Sequence, residues 1–176
     1  MVMTAVNLES PAWIDRGEGS YPDRPCTTCR AVASLLGLTR AQFDGLAADL
    51  EPVWVERRLQ ALDRPGRLTR VGGGRKYSLS FSARLFLTVL HARWDVTYRA
   101  LGALFGVGSQ TVERACRDLR PLTPLASRPV VRETEQRGSR LLAAELERHA
   151  VSDGATLLRE IGSGPCPGCT IDGTEA

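Results

Sequence analysis

Residues 97–119, TYRALGALFGVGSQTVERACRDL, decide the fold. Leu101, Leu104 and Phe105 recur at helical spacing, which predicts a short helix over residues 98–105. Gly106 follows where the end of a helix needs a left-handed residue, a conformation that glycine adopts without steric cost. Val107 is placed to fill the space between two helices. Ser109 reads as the N-cap of a second helix over residues 110–119, its hydroxyl accepting a backbone N–H of the first turn. Val112, Ala115 and Leu119 then face inward, and Gln110, Thr111, Glu113, Arg114 and Arg117 face outward. Gly102 is small where two crossing helices approach closely. This is the pattern of a helix-turn-helix, whose second helix enters the major groove and meets base edges with its N-terminal half. The competing reading is a helical hairpin that packs and binds nothing. The coincidence of spacing, small residue, glycine, cap and polar face favours DNA.

A hairpin this short cannot bury enough surface alone, so a supporting helix is required. Ser80 caps one that runs to about residue 93 and carries Leu85, Phe86, Val89 and Leu90, giving a tri-helical unit over residues 80–120. Upstream, a short helix over residues 28–36 is expected to stop at Gly37. Thr39 and Gln42 then have the spacing of a capping box, followed by Phe43, Leu46, Ala47 and Leu50 on one helical face. Pro52 predicts a break near Leu50 and Glu51 and suits the first turn of a new helix bearing Trp54, Val55, Leu59 and Leu62. Downstream, Pro121, Pro124 and Pro129 mark a break. A long helix over residues 131–151 and a short one over 154–161, capped by Asp153, follow. Residues 169–171 are compatible with a short extended tail. The expected class is all-α. Its divisions are a loosely ordered leader (1–27, with Trp13 as an anchor), N-terminal helices and a basic arm (28–79), the helix-turn-helix unit (80–120) and a C-terminal segment (121–176).

The 176-residue chain has a hydrophobic content of 43% and a formal net charge of only +3, which excludes both a disordered chain and a polycation. Its positive charge is local. Residues 57–76 hold Arg57, Arg58, Arg64, Arg67, Arg70, Arg75 and Lys76 against Asp63 alone. Of these, Arg67, Arg70, Arg75 and Lys76 directly precede the tri-helical unit and are candidates for phosphate contacts. A solvated linker is the competing reading of this arm. The neighbouring Gly72-Gly73-Gly74-Arg75-Lys76 is not a nucleotide loop, since Tyr77 stands where Ser or Thr is needed. No apolar run reaches the length of a membrane span, and residues 1–23 lack the basic start and apolar core of a signal peptide. A cytoplasmic protein with reduced cysteines is expected, without a membrane partner.

Three stretches together, GLTRAQFDGLAADLEPVW, GGGRKYSLSFSARLFLTVLHAR and TYRALGALFGVGSQTVERACRDLRPL, resemble bacterial insertion-sequence transposases of the DDE type. In that group a helical region with a helix-turn-helix precedes an RNase H-like catalytic domain. The tail carries a second likeness: ATLLREIG followed by TIDGTE resembles the helix and first strand of that domain. The resemblance implies that Asp172 matches the first of three acidic metal ligands, with magnesium or manganese as the cofactor of a complete member. Two-metal chemistry needs several carboxylates about a cation pair, and one aspartate cannot supply them. The resemblance therefore implies a chain truncated just after the first catalytic aspartate, which recognises double-stranded DNA at element ends and does not itself join strands. A second copy of the chain or a full-length transposase would be its protein partner. The alternative is a helix-turn-helix transcription regulator, because residues 98–119 are also similar to the DNA-reading helices of sigma factors and response regulators.

Cys26-x-x-Cys29 and Cys166-x-x-Cys169 each have zinc-knuckle spacing. Nearly the whole chain separates the pairs, and the two ends would have to meet, so zinc is disfavoured and no metal ligand is assigned. Cys116 reads as a small buried apolar residue. His91 and His149 stand on separate helices with no paired carboxylate pattern, and no catalytic dyad is assigned.

Overall fold

The structure is a computed structural model that describes residues 26–62, 79–123, 132–151, 153–164 and 166. These residues form seven helices and no strand, as an all-α reading requires: α1 (Thr27–Leu36), α2 (Arg40–Leu62), α3 (Phe81–Trp94), α4 (Tyr98–Leu104), α5 (Ser109–Leu119), α6 (Arg132–Arg148) and α7 (Gly154–Gly162). Residues 1–25 of the leader, residues 63–78 of the arm and the extended tail lie outside the described residues, and the last two leader residues, Cys26 and Thr27, instead cap and begin α1.

Local chemistry sets most of the boundaries. Gly37 ends α1 at φ 70°, donating its N–H to the Ala33 carbonyl. The Thr39 hydroxyl accepts from the Gln42 N–H at 3.1 Å, and the Gln42 side chain accepts from the Thr39 N–H at 2.9 Å, which completes the capping box. The Ser80 hydroxyl accepts from the Ala83 N–H at 3.3 Å at the start of α3. The Asp153 carboxylate accepts from the Ala155 and Thr156 N–H groups at the start of α7. The Ala155 bond foremost, then a bond from the Thr156 hydroxyl, holds its carboxyl below the usual aspartate range.

The break expected at Leu50 and Glu51 does not occur. A single α2 runs from Arg40 to Leu62 with Pro52 inside it. Proline in a helix interior costs about 3 kcal/mol and removes the bond to the carbonyl four residues back. That carbonyl belongs to Ala48, which like Pro52 is exposed, so water can satisfy it. Burial on both sides of the proline offsets the rest. Phe43 and Ala47 are in the core, and Trp54 packs on Phe81 with ring centroids 5.5 Å apart. Val55 and Leu59, further along the same helix, are exposed.

α3 is the hub and packs against each of the other helices. Leu85, Phe86, Leu87 and Leu90 are fully buried, so the helix is apolar nearly all round, as a central helix should be. Phe86 stands edge-on to Phe43 of α2 at 6.2 Å and to Phe105, at the end of α4, at 5.7 Å. Each such pair contributes about 0.5–1.5 kcal/mol beyond the area it buries. One apolar core draws on all seven helices, with Val32 and Leu35 of α1, Leu142 of α6 and Ile161 of α7 packed into it. The helix-turn-helix is thus held from behind by α3, α6 and α7.

Candidate nucleic-acid interface

α4, the turn and α5 form a helix-turn-helix against α3. The Thr97 hydroxyl accepts from the Ala100 N–H at 3.3 Å to start α4. Phe105, fully buried, closes it, and Gly106 turns the chain at φ 65°. The Val107 N–H donates back to the Gly102 carbonyl at 2.9 Å. At Gly102 the two helices meet. A Cβ there would stand 2.6 Å from the Val107 carbonyl oxygen and 3.2 Å from the Ser109 nitrogen, both backbone atoms. Only hydrogen fits, which is what permits the close crossing.

The cap of α5 differs from the sequence reading. Gly108 is the N-cap, with no side-chain cap bond, and Ser109 is the first helical residue and exposed. The backbone accounts for the shift. The Thr111 and Val112 N–H groups both donate to the Gly108 carbonyl, so the helix begins one residue earlier. The Ser109 hydroxyl is thereby left on the surface.

From that start α5 presents two chemistries. Val112, Ala115, Cys116 and Leu119 are buried against α3 and α4. Ser109, Gln110, Arg114 and Arg117 are exposed, and Thr111 and Glu113 are half-buried. Arg117 pairs with Glu113 at 2.5 Å, one turn apart. Both are substantially exposed, so this pair stabilises little and is readily exchanged for another partner. Arg67, Arg70, Arg75, Lys76 and Asp172 lie outside the described residues.

Several contributors were not singled out from the sequence. Exposed Arg99 and Arg120 extend the basic surface, with the Arg120 guanidinium donating to the Tyr98 hydroxyl at 3.4 Å. Arg84 is more consequential. It is 1% exposed, on the inner side of α3, and it reaches Asp118 of α5 at 3.2 Å with its guanidinium 5.4 Å from the Trp54 ring centroid. The ion pair ties α5 to α3, and the Trp54 ring of α2 packs against the same guanidinium. The signal in the sequence was faint: an arginine among Phe81, Leu85 and Thr88, on the helical face that turns inward.

The histidines are structural. His91 Nδ1–H donates to the Val96 carbonyl at 2.7 Å. His149 does have a carboxylate partner, contrary to the sequence reading. Its ring nitrogen donates to Glu145 at 3.2 Å, one turn back. Glu145 is nearly buried and also accepts from the Ser34 hydroxyl of α1 and from Arg148. The Ser34 bond above all, with His149 and Arg148, holds its carboxyl below the ordinary range against the opposing effect of burial.

The cysteines are brought together across the fold. Cys26 caps α1, Cys29 lies in its first turn, and Cys166 follows α7. The ligand atoms of these three all lie within 4.8 Å of one another. The separation in sequence that argued against such a meeting is closed by α7 returning to α1. Cys169 lies outside the described residues. No helix among the described residues is long and apolar enough to cross a membrane. No family model, curated protein or solved structure matches the chain.

Proposed function

We propose that the chain binds double-stranded DNA with α5 in the major groove, as the recognition region of a DDE-type transposase does. The observation that carries this reading is the crossing at Gly102. It brings α4 onto the start of α5 while Ser109, Gln110, Arg114 and Arg117 stay exposed along α5. A helix with its side chains is about 10–12 Å across and fits a groove about 12 Å wide, and the 11 residues of α5 extend roughly 16 Å along it. Gln110 suits adenine and Arg114 suits guanine, each through two hydrogen bonds. Arg117, further along and exchangeable with Glu113, suits a phosphate. Exposed Arg99 and Arg120 extend the same positive surface, and the arm adds charge from the sequence alongside. Recognition is the whole of the proposal. Strand chemistry would require carboxylates besides Asp172.

Selection from a random duplex library tests it directly. The wild-type chain should enrich a motif. Gln110→Ala and Arg114→Ala, with helicity checked by circular dichroism, should lose about 1–3 kcal/mol of discrimination at one base position each and keep weak general binding. A wild-type chain that enriches nothing, or variants that enrich the same motif equally well, would sink the assignment.

A further inference from the structure

We propose that Cys26, Cys29 and Cys166 bind a structural zinc ion, with Cys169 as the fourth ligand; the argument is independent of DNA binding. The Cys26 and Cys166 sulfurs are 3.5 Å apart, and Cys29 completes a triangle within 4.8 Å. Four thiolates about 2.3 Å from a tetrahedral zinc ion stand roughly 3.8 Å from one another. The observed spacing is therefore that of ligands around one ion, and it is well beyond a disulfide bond of about 2.05 Å. Soft sulfur donors select zinc over magnesium or calcium.

The fold builds the three described positions from protein contacts. Cys26 is the N-cap of a 10-residue helix, where backbone N–H groups favour an anionic sulfur. The Cys29 N–H donates to Cys26 Sγ at 3.4 Å, the kind of outer contact that orients a metal-bound thiolate. Cys29 itself is 3% exposed, which closes the site to solvent on that side. On the C-terminal side of α7, the Gly164 carbonyl accepts from the guanidinium of buried Arg40, which Asp44 holds at 2.9 Å. Two residues on stands Cys166. The Thr28 hydroxyl, beside Cys29, donates to Glu160 and ties α1 to α7. Cys169 enters from sequence: it follows Cys166 at the spacing by which Cys29 follows Cys26. A set of four protein ligands is the mark of a structural site, not of a catalytic one. Each ligand thiol gives its proton to solvent as its sulfur takes the ion. Cys116 provides the internal contrast. It is buried in α5, away from the cluster, and burial pushes its thiol up to about 11.

Metal analysis of the full chain, purified under reducing conditions, decides the matter. About one zinc ion per chain is expected. Cobalt exchanged into the site should give the thiolate-to-metal charge-transfer band and visible bands of tetrahedral four-sulfur coordination. Cys26→Ser and Cys166→Ser should lose the metal, Cys169→Ser should lose the four-sulfur spectrum, and Cys116→Ser should keep both. A metal-free wild-type chain, bound iron, a Cys26–Cys166 disulfide by mass spectrometry, or zinc retained in Cys166→Ser would each overturn the proposal. A four-sulfur spectrum in Cys169→Ser would overturn the assigned ligand set. Should the serine variants fail to fold, zinc content and the cobalt spectrum of the wild-type chain still decide.

Discussion

Glu145 is the residue at which charge and stability are most directly linked. Its carboxylate joins Ser34 of α1 to His149 and Arg148 at the end of α6, and its folded pKa is lowered. A depressed carboxylate contributes stability that is fully present above its unfolded value, ordinarily near 4.3. That contribution is lost as pH falls through the lower folded value. Urea midpoints should therefore decline on acidification below about pH 5, and Glu145→Gln should flatten that decline; an unaltered pH profile would remove Glu145 from the account. The sequence concealed this residue because its chief partner, Ser34, is 111 positions away. Arg84 was concealed in the same way, since its value lies in Asp118 and Trp54. Gly106 was legible because its requirement is local: a left-handed turn after Phe105, and φ is indeed 65°.

At the level of the helix, one substitution should have opposite signs at two places. Gly45 in α2 is exposed, with nothing within 4 Å of a Cβ built there. Gly45→Ala should stabilise by about 0.5–1 kcal/mol through helix propensity. Gly102→Ala gains the same propensity in α4 but drives a methyl against the Val107 carbonyl, and should destabilise by about 1–3 kcal/mol. Thermal melting of the two variants beside wild type checks both, and a stabilised Gly102→Ala would mean that the helices do not cross so closely. Helix starts were read well wherever a side chain does the capping, as at Thr39, Ser80 and Asp153. They were misread where packing outweighs propensity. α2 continues through Pro52 because Phe43 and Trp54 are anchored on either side of it. α5 begins at Ser109 because a backbone carbonyl, that of Gly108, accepts its first bonds.

Across the molecule, charge and topology divide the work. On the proposed reading, the arm supplies electrostatic attraction that is indifferent to sequence. Replacing Arg67, Arg70, Arg75 and Lys76 by glutamine should lower the slope of log K against log salt by up to about 3.6, at roughly 0.9 per phosphate contact. Titrations of any duplex at several salt concentrations measure it, and an unchanged slope would place the arm off the DNA. The tri-helical unit was legible because its three helices, α3, α4 and α5, are neighbours in sequence. The cysteine cluster was not, because nothing local to either pair reports where α7 returns. That return sets the order in which the chain can be completed. Cys26 meets Cys166 across 140 positions, Thr28 meets Glu160 across 132, and Arg40 meets Gly164 across 124. Such contacts carry the loop-closure cost that slows folding. α1 is made before α7, so although α3 can cover its apolar face earlier, Cys26 and Thr28 wait for Cys166 and Glu160. Gly154, where α7 starts, lies against the Leu104 carbonyl so closely that a Cβ would be 2.2 Å away, which makes α7 a brace for the turn before α5. A nascent chain thus already holds α4 and α5 without that brace, and the turn between them acquires its final packing only after α7 has been synthesised.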